Sequence, residues 1–182
     1  MRRSRLPSSP SRSAVVATLV AVVLALFAST ASSGQQATYW IDHVIDGDTV
    51  RLANGQKVRL VQIDTPEVYV RTECYGPQAS AVTKRLLRPG VRVTLEAEPY
   101  TDNVDEYGRV LRYVIRARDD LNVNLRLVAL GAAAPYFYEG HRGRYANRLE
   151  ALARTARARH RGLWGECPHT AYNPYRGVAT RR

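Results

Sequence analysis

Val58-Arg59-Leu60-Val61-Gln62-Ile63-Asp64-Thr65-Pro66-Glu67 is the stretch on which the fold turns, read together with Asp46-Gly47-Asp48-Thr49 upstream. From Lys57 to Ile63 the residues alternate, with Val58, Leu60 and Ile63 as core positions, the pattern of a strand buried on one face. Pro66 lacks an N–H and biases Thr65 toward extended backbone, so the ladder stops there and leaves Asp64 and Glu67 at the strand rim. Upstream, Thr38 to Ile45 reads as a strand, Asp46-Gly47-Asp48 as a turn, and Thr49-Val50-Arg51-Leu52 as the returning strand. With the two strand ends side by side, Asp48, Asp64 and Glu67 are expected to converge on one point. Three carboxylates repel unless a cation holds them, and an all-oxygen set without His or Cys suits calcium or magnesium rather than zinc. Asp-Gly-Asp alone is ordinary turn chemistry. The second cluster, with Arg59 five residues before Asp64, lifts the pair above that reading.

The chain has 182 residues, enough for one core and one domain, and shows no internal repeat. Its formal charge is +11 and its pI about 10.2. Lys occurs only at 57 and 84, so the positive charge is nearly all Arg. That sign attracts phosphate backbones, acidic polysaccharides or anionic membrane, without choosing among them.

The first residues are expected to stand outside the fold. Arg2, Arg3, Arg5 and Arg12 precede an uncharged apolar run from Ala14 to Ala28, and small residues follow at Ser29-Thr30-Ala31-Ser32. This is the pattern of a secretion signal over residues 1–31, with a retained membrane anchor as the alternative. Its removal takes away four arginines and no acids, leaving about +7. In an oxidising compartment the two cysteines, Cys74 and Cys167, are most simply a disulfide; free thiols, or a metal site of Cys167 with His169, are the other readings.

Further along, Glu67 to Cys74 reads as a surface loop beside the acids. Tyr75-Gly76-Pro77 opens a helix with Pro at its first position, and Ala79, Val82 and Leu86 form its apolar stripe. Val91, Val93 and Leu95 alternate with polar residues in a strand broken at Pro99, and Arg109 to Ile115 forms another. Val123 to Leu130 is a short helix closed by Gly131, followed by an extended aromatic segment from Ala132 to Tyr138. Tyr145, Leu149, Leu152 and Ala156 mark a final helix whose other faces carry Arg144, Arg148, Arg154, Arg157, Arg159 and Arg161. Those arginines make a solvated face on the plainer reading. Beyond Cys167 the tail, residues 167–182, is polar and expected to be loose. The expected architecture is a five-stranded OB-fold barrel with about three helices.

Arg59 and Arg109 beside a hard cation would form a clamp for a phosphodiester, their forks pairing with non-bridging oxygens and stabilising the charge of a five-coordinate transition state. Glu67 would deprotonate a water for in-line attack. Tyrosines on a basic surface give bases of any sequence a stacking platform.

Asp46-Gly47-Asp48-Thr49, Arg59 with Asp64-Thr65-Pro66-Glu67, Tyr75-Gly76-Pro77-Gln78-Ala79-Ser80, Asp105-Glu106-Tyr107-Gly108-Arg109 and Gly162-Leu163-Trp164 occur in the order of the thermonuclease (staphylococcal nuclease-like) family. The chain resembles that family over residues 38–166. The resemblance implies a secreted, calcium-dependent nuclease acting on DNA and RNA to leave 3′-phosphates, a monomer with no obligate protein partner. It implies Asp48, Asp64 and the Thr65 carbonyl as calcium ligands, Glu67 as general base, Arg59 and Arg109 as the phosphate clamp, and Tyr107, Tyr136 and Tyr138 as nucleotide contacts. Phe137 is expected in the core. Glu106 departs from the pattern, standing where the best-known member has Lys near a terminal phosphate. The rival reading is a non-catalytic OB-fold nucleic-acid-binding module at the cell surface. A purely structural OB domain would leave Asp48, Asp64, Glu67, Arg59 and Arg109 together without a reason.

Overall fold

The alternating apolar positions of the first strands meet in one core, where Ile41, Val50, Leu52, Val58 and Leu60 are at most 2% exposed. The computed structural model describes residues 36–69 and 71–174, so the expected secretion signal lies outside the described residues. Strands β1 (Thr38–Val44), β2 (Thr49–Leu52) and β3 (Lys57–Leu60) form an antiparallel meander, with Thr49 opposite Arg59. A two-residue strand β4 (Ile63–Asp64) follows, then helix α1 (Gly76–Leu86), β5 (Arg92–Ala97) and β6 (Val110–Arg116). β5 pairs with both β1 and β6, and β6 runs parallel to β3, with Arg59 beside Leu111. That last pairing closes β1, β2, β3, β5 and β6 into the five-stranded barrel expected of an OB-fold. β7 (Leu121–Asn122) extends the sheet and leads into α2 (Val123–Ala129). β8 (Ala134–Pro135), α3 (Ala146–Ala158) and the short α4 (Leu163–Glu166) complete the described elements.

The helices follow from their local chemistry. Pro77 sits in the first turn of α1, where its missing N–H costs nothing. Asn122 caps α2 by accepting from the Leu125 N–H. Leu149, Ala153 and Ala156 bury one face of α3, while Arg148, Arg154, Arg157 and Arg159 are exposed on the others.

Three departures from the sequence reading have physical causes. The strand expected from Lys57 to Ile63 ends at Leu60, because Gln62 takes a left-handed conformation (φ 64°) and kinks the chain. Its buried side chain accounts for the kink: Oε1 accepts the Gly143 N–H and Nε2 donates to the His141 carbonyl. Arg59 and Asp64 therefore lie on two strands rather than one. The extended segment Ala132 to Tyr138 contains only two paired residues, Ala134 opposite Asp64 and Pro135 opposite Ile63. The tail is packed where it is described: Tyr172 packs against the core and Pro174 is buried. Cys74 and Cys167 form a disulfide that ties this segment to the loop before α1.

Candidate active site

The turn between β1 and β2 and the loop after β4 meet through Asp48. Its buried Oδ2 accepts from both the backbone N–H and the hydroxyl of Thr65, each at 2.9 Å. Gly47 permits this approach, since a Cβ there would collide with the Thr65 side chain. Arg59, on the strand facing Thr49, places Nε 3.1 Å from Asp48 Oδ1 and donates from Nη2 to Asp64 Oδ1 at 3.0 Å. Its Nη1 donates to the carbonyls of Leu60 and Ile63, so the kinked chain wraps the guanidinium. Burial works against the Arg59 charge, but Asp48, Asp64, Asp46 and Glu67 together outweigh it and raise its pKa. Burial, with the neighbouring Asp48 charge, pushes Asp46 up to about 6.

Arg109 enters from the start of β6. Asp105 holds it by accepting from Nε at 2.7 Å and from its backbone N–H at 2.9 Å, and Nη1 reaches Thr49 Oγ1 at 3.4 Å. Burial opposes the Asp105 charge, but the hydrogen bonds and charge of Arg109 keep its carboxyl below the usual range. Tyr107, 73% exposed, lies with its ring 5.2 Å from the Arg109 guanidinium carbon. Pairing of β8 with β4 places Tyr136 beside Gln62, its N–H donating to the Gln62 carbonyl at 3.0 Å. Tyr138 is exposed at the start of a 3-10 turn, and Phe137 is buried in the core.

Glu67 is half-buried in the loop after Pro66. Four carboxylates thus act on the one guanidinium of Arg59, an excess of negative charge on oxygen donors that fits a hard divalent cation. Asp48 and Asp64 flank the guanidinium at the centre of this charge, and Thr65 lies against Asp48. Among the described residues, however, no three His, Cys, Asp or Glu side chains are grouped to hold a metal ion. Asp48, Asp64 and Glu67 all act on the Arg59 guanidinium rather than meeting one another directly. Arg59 takes the place between Asp48 and Asp64, and Thr65 engages the second oxygen of Asp48.

The family model described as staphylococcal nuclease homologue matches residues 57–166. The chain belongs to the staphylococcal nuclease family. That family depends on a divalent metal. Among relatives, the thermonuclease of Staphylococcus hyicus is 32% identical over 139 residues, covering 73% of this chain and 79% of that protein. An uncharacterized endonuclease of Escherichia coli is 36% identical over 126 residues, covering 68% of this chain and 74% of that protein. An endonuclease of Bacillus subtilis is 32% identical over 139 residues, but the matched region is only 11% of its length. The family match begins at Lys57, so the place of Asp46, Asp48 and Thr49 in the site rests on the contacts above.

Several supporting residues escaped sequence reasoning. Asp46 joins the acid cluster, for which its place in Asp-Gly-Asp was a signal. Glu98, 3% exposed, accepts from the Tyr113 hydroxyl at 2.9 Å and the Arg144 N–H at 2.7 Å. With Gln62 it holds the loop that follows Tyr138. Glu73 grips the backbone of Glu67. A single Glu in a polar stretch carries no sequence mark of such a role.

Proposed function

We propose that the chain is a secreted, calcium-dependent nuclease that hydrolyses phosphodiester bonds of DNA and RNA and leaves 3′-phosphate ends. Family membership makes it an enzyme and a nuclease acting on nucleic acid. The observation that carries the finer reading is Arg59 held between Asp48 and Asp64, with Arg109 held by Asp105 and reaching Thr49, the strand partner of Arg59. Two guanidiniums and a set of acids at neighbouring strand ends match a phosphodiester with a cation.

In this reading Asp48, Asp64 and the Thr65 carbonyl would hold calcium, which would supply charge neutralisation at the phosphate and polarisation of water. Arg59, which bridges Asp48 and Asp64, would present its donors to a non-bridging oxygen. Arg109, already oriented by Asp105, presents the second fork. Glu67 takes the proton from the attacking water. Tyr107 and Tyr136 offer faces to the flanking bases, and Tyr138 extends that surface. Export is supported by the charged and apolar pattern of residues 1–31 and by the disulfide.

The test is cleavage of single-stranded DNA and of RNA by the purified chain in calcium, then with a chelator, with fragment ends analysed. The expected result is calcium-dependent cleavage of both with 3′-phosphate ends. Binding of DNA without calcium-dependent cleavage would overturn it and leave the OB-fold binding module.

A further inference from the structure

Glu67 sits at the start of a loop, where a general base needs a second set of contacts to hold its geometry. Both of its backbone groups are taken by one residue, Glu73. The Glu67 N–H donates to Glu73 Oε2 at 3.0 Å, and the Glu73 N–H donates to the Glu67 carbonyl at 2.9 Å. The loop closes on itself through these two bonds, so that the Glu67 backbone moves only if Glu73 moves.

Glu73 is in turn tied from two directions. Its neighbour Cys74 is joined to Cys167, and its Oε2 also accepts from the Tyr172 hydroxyl at 3.4 Å. Tyr172 packs against the core, so the C-terminal segment fixes the side chain on a rigid support. On the helix side the Gly76 N–H donates to the Glu73 carbonyl at 3.0 Å, and a Cβ on Gly76 would strike the Glu67 carbonyl. Across the loop the Tyr69 hydroxyl donates to the Ile45 carbonyl at 2.6 Å, beside the turn that carries Asp46 and Asp48.

We infer that Glu73 is a positioning residue for Glu67, and that the disulfide and Tyr172 make the C-terminal segment part of the catalytic support. The inference rests on the reading of Glu67 as general base. In this role Glu73 holds the Glu67 main chain so that the Glu67 carboxylate meets the attacking water at one angle. A general base displaced by about 1 Å loses rate steeply while substrate affinity, set by other residues, stays.

The experiment compares Glu73→Ala, Glu73→Gln and Glu67→Gln, with the double variant Glu73→Ala/Glu67→Gln, on single-stranded DNA in saturating calcium. Glu73→Ala is expected to lower kcat roughly 10-fold or more with KM changed by about 2-fold at most. Glu73→Gln, whose amide oxygen still accepts from the Glu67 N–H, is expected to recover most of that loss. In the Glu67→Gln background Glu73→Ala should add little, because the base it positions is already gone. Amide exchange at Glu67 supplies a readout independent of turnover: it should accelerate in Glu73→Ala and stay slow in Glu73→Gln. An active parent whose Glu73→Ala keeps its kcat, or a loss of equal size in the Glu67→Gln background, overturns the positioning role alone. A parent without cleavage overturns the nuclease reading on which it rests.

Discussion

Arg59 Nε stands 3.1 Å from Asp48 Oδ1, with both side chains largely buried. Thr49 on β2 lies opposite Arg59 on β3, which puts the side chain of the residue before it within reach of the guanidinium. Asp64 shares the same guanidinium from the far side of the Gln62 kink. Asp48 and Asp64 therefore share one cation supplied from within the chain.

That arrangement predicts a stability effect that depends on metal. Arg59→Gln leaves Asp46, Asp48, Asp64 and Glu67 without their cation, and breaking a buried pair from one side costs about 3 kcal/mol. Urea unfolding in a chelator should show a loss of that order. Calcium should return much of it, since the ion replaces the missing charge. An equal loss in both conditions would mean that calcium does not bind among these acids.

Glu67→Gln separates chemistry from binding. Cleavage of single-stranded DNA in calcium should slow by about 100-fold or more, the scale of general-base help. Fluorescence anisotropy with the same DNA should give an affinity close to that of the parent, because Arg59, Arg109 and the tyrosines are untouched.

The disulfide closes a span of 93 residues. On the chain-entropy account its removal costs roughly 4–5 kcal/mol. Cys74→Ser/Cys167→Ser should show this as a lower urea midpoint, and the parent in reductant should match it.

Tyr113 supplies a test at high pH. Burial first, then its hydrogen bond and charge contact with Glu98, push its hydroxyl well above the ordinary tyrosine range. The folded state therefore holds a proton that the unfolded chain releases above pH ~10. Its stabilisation is complete below that pH and is lost as pH rises toward the folded pKa, at about 1.4 kcal/mol per pH unit. Between pH 9 and 11.5, Tyr113→Phe should lose stability more gradually than the parent in urea unfolding.

Glu106 is exposed in the turn before Tyr107 and Arg109. A carboxylate there repels a phosphate that a Lys would attract. Glu106→Lys should tighten binding of phosphate-terminated mononucleotides, with the gain shrinking as salt rises. Unchanged affinity at low salt would place the side chain away from the bound phosphate.

Local rules in the sequence determined a good deal of this protein. Alternation at Val58, Leu60 and Val93 marks buried faces of strands, Pro77 marks a helix start, and all three apolar positions are fully buried. Asp48, Arg59, Asp64 and Arg109 could be singled out because turns and strand ends are local, and a second acid cluster with an Arg five residues before its Asp goes beyond ordinary turn chemistry. Tertiary structure alone decided which charges meet. Gln62 breaks a strand that reads as continuous, because its amide finds Gly143 and His141 some eighty residues away. Arg59 fills the gap between two acids that periodicity could only place near one another. Glu73 and Glu98 are ordinary acids by sequence, and their burial and partners follow from distant segments brought against them by the barrel, the disulfide and Tyr172. Electrostatic pairing depends on distances of a few ångströms, and those are set by packing across the whole chain rather than by neighbours along it.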